Sequence, residues 1–288
     1  MSVMSVPGAA AVPRTRRRPW QGLRPLEIGA AIVLSLIVLM AVVGPLVAPY
    51  DPTLQRFSDG ILQPPLTTGH LLGTDQLARD LLSRLMAGAR TSLAIAGGAT
   101  LMGLVVGVLI GVVAGFRGGI VDTVLMRVMD AMLAFPALVL ALVIAASLGP
   151  NGRNTAIAIA VVQVPGFARV ARSLTLRERE RDYVSAARVS GASAARIVRV
   201  HVIPNVWGPI AAQAVLALGH AVPSEAALSF LGLGVQPPTP SWGNMIAEGY
   251  QYLDKSAWPM LLPAICIVLT VGSISVLADA ARRRSQEG

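Results

Sequence analysis

The sequence predicts an all-α, polytopic membrane protein with six transmembrane helices. Three observations carry that expectation. Of its 288 residues, 54% are hydrophobic and the mean hydropathy is +0.64, well above what a soluble domain carries. The apolar residues fall into six runs that meet or approach the ~20 residues a helix needs to cross a bilayer. The basic residues gather at the ends of these runs, and arginine supplies nearly all of the net charge of +9, since Lys255 is the only lysine. Arginines placed in this way mark cytoplasmic loops rather than a nucleic-acid-binding face. The expected environment is the lipid bilayer, and no nucleic acid is expected as a partner.

A basic tail, residues 1–25, precedes the first run, Leu26 to Ala48. That run is longer than the core of a secretory signal and no small-residue cleavage site follows it, so it reads as an anchor. Residues 49–90 begin with turn chemistry, Asp51-Pro52 and Pro64-Pro65. Leu77, Leu81 and Leu85 then recur every fourth residue, which predicts an amphipathic helix on the outer surface, capped by Thr74 or Asp75. The second run, Ser92 to Gly115, carries Gly103, Gly107, Gly111 and Gly115 on one face. Such a stripe brings helix backbones together in lipid, and packing within this chain is preferred to pairing between subunits. The third run is Val124 to Leu148 and the fourth, the shortest, is Thr155 to Val170. The fifth is Val206 to Leu231 and the sixth Trp258 to Leu277. Between these last two, Pro237-Pro238-Thr239-Pro240 and the aromatics Trp242, Tyr250 and Tyr252 suit a segment where membrane meets water, either a connecting loop or a docking surface. The chain thus divides into a tail (1–25), an anchor with its outer segment (26–89), a membrane core (90–280) containing a loop at 173–205, and a short tail (281–288).

Orientation follows from the positive charges. With the N-terminus inside, 18 fall on the cytoplasmic side and 6 outside, which places both termini and the eight-arginine stretch from Arg169 to Asn205 in the cytoplasm. Prolines at 136, 165, 209, 223, 259 and 263 each remove a backbone donor within or beside a run.

Residues for chemistry are lacking. Gly249 to Ser256 misses the phosphate-loop pattern because Asp254 stands in the place of its second glycine, where a carboxylate repels phosphate. His70, His201 and His220 have no metal-ligand spacing, and Cys266, alone in the last run, permits no internal disulfide or cysteine cluster. No catalytic residue, metal site or cofactor is expected in this chain, so uphill transport would draw its energy from another subunit or an ion gradient. Among ionisable groups inside the runs, Asp130 and Glu225 are the candidates for a translocation pathway. A carboxylate hydrogen-bonded to a neighbouring helix is the alternative reading of Glu225.

The cytoplasmic insert is the candidate functional element. Arg177 to Asp182 alternates in charge and can carry the fourth helix past the membrane. Alanines 186, 187, 192, 194 and 195 favour helix, while Gly191 allows a bend or a close approach. On a continuous helix Arg181, Arg188 and Arg199 share one side, opposite Ala186, Ala194 and Ile197, and Pro204 stops the helix. Such a small-residue face suits a groove on another protein, with a basic helix on anionic lipid as the alternative.

The spacing Ala186-Ala187, Gly191 and Pro204 resembles the EAA loop of permease subunits of ABC importers, with Ser185 in the place of the glutamate. His70 to Asp75, Arg79 to Leu85, Asp182-Tyr183-Val184, Gly191-Ala192-Ser193 and above all Glu225 to Pro238 resemble the C-type permease of the dipeptide/oligopeptide/nickel branch. Ala78 and the tail from Ser273 to Arg284 depart from its pattern. The resemblance implies a type I ABC importer permease bundle. Its coupling helix would meet the ATPase through Ser185, Ala186, Ala187, Arg188, Gly191, Ala192, Ser193 and Arg196. The implied partners are a homologous second permease, two cytoplasmic ATPase subunits that hold ATP and Mg, and an extracytoplasmic solute-binding protein. The implied cargo is a peptide, with nickel chelates, heme or another small solute as alternatives. The rival from a different class, an ion-gradient-driven secondary transporter, should show repeated halves and midplane ion ligands. Neither is visible in the sequence.

Overall fold

The computed structural model of the chain describes residues 25–67 and 69–287. The N-terminal arginines, Arg14 to Arg24, lie outside that range. The order is α1 (Pro25–Val47), a 3-10 turn (Phe57–Asp59), α2 (Leu81–Arg117), α3 (Gly119–Leu133), α4 (Ala137–Leu148) and α5 (Gly152–Arg179). It continues with α6 (Asp182–Val189), α7 (Ala194–Ile197), a π-helical turn (Val198–Val202), α8 (Ile203–Phe230), α9 (Trp242–Tyr250) and α10 (Trp258–Glu287). No strand occurs among the described residues. Five helices are long and apolar enough to span a bilayer, and α3 with α4 makes a sixth if the bent pair is one span.

The bundle is built on α2 and α5. Gly103, Gly107, Gly111 and Gly115 of α2 all face α5. A Cβ would stand 3.0 Å from the Ala160 carbonyl oxygen at Gly103, 2.7 Å from that of Val164 at Gly107, and 2.8 Å from that of Arg172 at Gly115. The small-residue stripe therefore serves packing inside the chain, as its spacing suggests, by letting two backbones meet where lipid supplies no hydrophobic drive. Helix α1 packs on α2 and α10, while α8 packs on α2, α5 and α10.

Three expectations are corrected. The helix anticipated on the outer surface at Leu77–Leu85 is not a separate one: residues 77–80 form a turn and Leu81 to Leu85 begin the 37-residue α2. The cap is neither Thr74 nor Asp75. Asp80 Oδ2 accepts the Ser83 N–H at 2.8 Å, whereas Asp75 Oδ1 accepts the N–H groups of Leu77 and Arg79 and holds the turn. Ala78 sits there at φ 55°. The third span is not one straight helix: it breaks at Ala134–Pro136 and bends by 93°. Proline lacks the N–H for the preceding turn and disfavours a helical Phe135. Trp242 does not offer its ring to the surface of the chain, as a membrane–water belt residue would. It is fully buried, its Nε1–H donating to the Leu85 carbonyl at 3.3 Å and its backbone N–H to Ser92 Oγ at 3.0 Å. A reciprocal capping box between Ser241 and Asn244 starts α9 and fixes that placement.

The end of the bundle opposite the arginine-rich loop is closed by ions. Arg79 and Arg84, 2% and 1% exposed, both reach Asp75 Oδ2, at 2.6 and 3.2 Å from their Nε atoms. They converge on Glu248 of α9, whose Oε2 accepts from Arg79 Nη2 at 2.5 Å, Arg84 Nη2 at 3.0 Å and Gln76 Nε2 at 3.0 Å. Beside this network, His70 bridges Asp80 (2.8 Å) and Asp59 (3.2 Å). The segment after α1 is thus fastened to α2 and α9.

Two outcomes follow. Gly111→Val should lower stability by about 1–3 kcal/mol through overpacking against α5, read as an earlier thermal transition of the detergent-solubilised protein. Glu248→Ala should cost about 3–5 kcal/mol because two buried guanidiniums lose a shared counterion, and limited proteolysis should then cut within residues 52–80 before the rest of the chain.

Candidate coupling surface

The arginine-rich loop rests on a corner where α2, α3 and α5 meet. Gly118 and Gly119, at φ 67° and 58°, turn the chain from α2 into α3. Arg179 Nη1 donates to the carbonyls of Gly115 and Phe116 at 3.2 and 3.3 Å, supplying donors to the unpaired C-terminal end of α2. Arg172 forms a fork with Asp122 in the first turn of α3: Nη2 donates to Oδ2 at 2.6 Å and Nε to Oδ1. As the charge alternation implies, α5 runs on to Arg179.

Beyond Arg179 the expected continuous helix is replaced by two short ones. α6 ends in a Schellman motif, in which the Ala192 N–H donates to the Ala187 carbonyl at 3.0 Å and the Gly191 N–H to that of Arg188 at 3.1 Å. Gly191 occupies the left-handed position at φ 78°. The four-residue offset from Ala187 to Gly191 is the offset between the C3 and C′ positions of this motif, and its accompanying apolar contact is made by Ala187 and Ala192, both half-buried against one cluster. Ser193 then caps α7, accepting the Arg196 N–H at 3.3 Å. Because the turn resets the register, Ile197 is buried while Ala186 and Ala194 are exposed, so the three do not share the face expected of a single helix. Nor does Pro204 end the helix. It lies in the first turn of α8, where its missing N–H goes unused, directly after the π-helical turn.

Val184 and Ile197 fasten the loop to Val112, Ala171, Val202, Val206 and Ile210 in one buried cluster. The Tyr183 hydroxyl donates to Glu178 Oε2 and accepts from Asn205 Nδ2 at 3.3 Å, tying α6 to both flanking helices. The hydrogen bond to Glu178 holds the phenol above its ordinary pKa. What remains outside is Ser185, Ala186, Arg188, Gly191, Ser193 and Arg196, all exposed, while Ala187 and Ala192 face inward. At the tip stands Val189, 90% exposed, a residue the sequence reading passed over. Its signal was a β-branched apolar residue set between Arg188 and Ser190, with its neighbours accounted for by the turn.

The two intramembrane carboxylates differ. Glu225 is fully buried: Ser229, one turn on in the same helix, donates to its Oε1 at 2.7 Å, and its Oε2 has no hydrogen-bond partner among the described residues. Asp130 is half exposed and pairs with Arg169 Nη2 at 2.6 Å. No cluster of metal-ligating side chains occurs among the described residues.

Comparison with known proteins shows the family of the chain. Residues 107–286 match the family described as binding-protein-dependent transport system inner membrane component. Residues 24–65 match the N-terminal TM domain of oligopeptide transport permease C. The chain is 45% identical over 260 residues to the di/tripeptide transport system permease protein DppC of Pseudomonas aeruginosa (strain UCBPP-PA14), covering 88% of this chain and 86% of that protein. It is 40% identical to the dipeptide transport system permease protein DppC of Escherichia coli (strain K12), covering 95% and 94%. A solved chain of the MetNI methionine ABC transporter, in an inward-facing conformation, shares the fold with a TM-score of 0.56 at 21% identity, over 69% of this chain and 95% of that one. The chain belongs to the family of binding-protein-dependent transport system inner membrane components and is a transmembrane permease subunit of an ABC importer, in the branch that carries the oligopeptide permease C type of N-terminal domain.

Proposed function

We propose that this permease imports short peptides into a bacterial cell, forming half of the pathway together with a homologous second permease. The 45% and 40% identical relatives named as dipeptide or di/tripeptide permeases support that cargo. The distribution of 18 positive charges against 6 supports an orientation with both termini and the arginine-rich loop in the cytoplasm. In this reading two ATPase subunits hold ATP and Mg and grip the loop from below, while a solute-binding protein delivers peptide to the ion-fastened far end. ATP is hydrolysed in those partners.

The observation that carries the coupling role is the build of the loop. An exposed tip, Ser185 to Arg196 with Val189 outermost, is held by Val184, Ile197, Arg172 and Arg179 to the α2–α5 pair. Force applied at the tip therefore reaches the helices of the bundle without being lost in a slack linker. Of the two carboxylates, Asp130 is the one retained as a pathway residue, since Glu225 is closed inside the chain while Asp130 is half exposed.

Val189→Asp tests the contact. The side chain touches little of this chain, so membrane insertion and thermal stability should be unchanged, while an unpaired charge in the docked groove should cut ATPase co-purification and peptide uptake at least about tenfold. Uptake equal to the unmodified protein would exclude the tip as the gripped surface. Ser190→Cys should react with an impermeant maleimide in inside-out vesicles and stay unlabelled in intact cells with a permeable outer layer.

A further inference from the structure

The ladder joining α3 to α5 has two rungs of different character. Arg172 and Asp122 form a two-pronged pair beside the α2–α3 corner, and their side chains are 34% and 14% exposed. Arg169 and Asp130 meet through a single contact, 2.6 Å from Nη2 to Oδ1, and about half of each side chain is open to the surface of the chain. A guanidinium carries five N–H donors and a carboxylate about four acceptor positions, so this pair leaves most of its capacity unspent.

Its position makes that openness significant. Arg169 lies roughly 15 Å up α5 from Arg179, and Asp130 roughly 16 Å along α3 from Gly119, at 1.5 Å per residue. Charges carried into a membrane-spanning helix and left on its surface are costly against lipid tails, so they face protein or a water-filled space. The surroundings are apolar and compliant: Met129, Val164 and Ala168 form a buried cluster, with Met126 and Met132 partly buried against it. Thioether side chains adapt to partners of different shape. Arg127, exposed one turn away on α3, adds a second positive charge to the same surface.

We propose that Asp130 and Arg169 form a site for the termini of a peptide in transit, Arg169 taking the C-terminal carboxylate and Asp130 the N-terminal ammonium. The assignment rests on the peptide-import reading and deepens it. A zwitterion is the ligand such a pair can exchange for itself: one internal ion pair opens, two external pairs form, and the net charge of the pair with its ligand is zero before and after. When the site empties, the residues neutralise each other again, which avoids the large cost of a lone charge in a low-dielectric setting. The termini are the features that all short peptides share, and the half-buried Met126, one turn from Asp130, is an adaptable apolar side chain beside them.

The test is equilibrium binding to the assembled transporter, both permeases with both ATPases in lipid nanodiscs and without the solute-binding protein. The probes are radiolabelled Ala-Phe, N-acetyl-Ala-Phe and Ala-Phe-amide. The unmodified transporter should prefer the free dipeptide to either blocked form by about tenfold, the scale of one charge-assisted hydrogen bond. Arg169→Gln should abolish discrimination against the amide and keep discrimination against the acetylated form, and Asp130→Asn should do the reverse. A merely structural ion pair would weaken all three probes together, and that result overturns the assignment. So does an unmodified transporter that binds none of the probes or shows no preference among them, and so do variants whose preferences are unchanged. Uptake of Ala-Phe by proteoliposomes supplied with the binding protein separates the two levels. If uptake proceeds while the binding arms fail, only the terminus site falls; if no peptide is taken up, the import reading falls with it.

Discussion

Four glycines spaced one helical turn apart bring the backbone of α2 against the carbonyls of α5, and within lipid that contact has no substitute. Lipid tails are as apolar as leucine, so burying side chains between helices gains little from the hydrophobic effect. The attraction comes from many atoms at short range, and it falls away quickly if the backbones separate. The stripe runs from Gly103 to Gly115, and below Gly115 the same two helices are joined by Arg179 on the last carbonyls of α2. Arg172 then reaches across to Asp122 and fixes the start of α3. Packing in the membrane and hydrogen bonding at its edge therefore act on the same pair of helices, and the loop that follows α5 inherits their rigidity.

The arginine-rich loop shows how little sequence is needed to make a firm tip. Its shape is set by Gly191 in the left-handed region, by Ser193 as a helix cap, and by Val184 and Ile197 as anchors. The spacing from Ala187 to Gly191 is what a Schellman turn requires, because the first residue supplies the carbonyl and the small contact surface and the second supplies the positive φ. Ala187 need not touch a partner for that spacing to matter. The residues proposed to meet a partner are the ones the turn throws outward, and among them Val189 presents the large apolar side chain, beside exposed Ala186 and the basic Arg188 and Arg196.

What was legible in the sequence was what depends on near neighbours. The spans, the glycine stripe, the extension of α5 and the loop's breaking glycine are all written within a few turns of chain. What was not legible depends on partners far away in sequence or on direction. Asp80 and Asp75 offer equally good caps locally; the choice between them is made by a network completed by Glu248, more than 160 residues later. Trp242 suits a membrane boundary by composition, and only the carbonyl of Leu85 and the hydroxyl of Ser92 explain its burial. Pro136 announces a break in the third span but not its 93° angle. The two candidate carboxylates look alike in sequence and part company by burial: Glu225 is enclosed by the packing of distant elements, while Asp130 remains open beside Arg169.

The two helices that leave the loop are not equivalent, and that asymmetry bears on how a push would travel. α5 contains Pro165, but adjacent turns are clasped by Gly103, Gly107 and Gly111 of α2, so the weakened turn is splinted. α8 follows a π-helical turn, has Pro204 in its first turn, and then carries Pro209 and Pro223. Several of its backbone hydrogen bonds are missing or out of register, and no stripe of close backbone contact compensates for them. A helix so built bends more readily than its partner. Displacement of the tip would then be carried as a unit by α5, α2 and the α3 corner, while α8 takes up the change in angle. Since α3 and α5 also carry Asp130 and Arg169, the terminus site proposed for that ion pair would move with the loop.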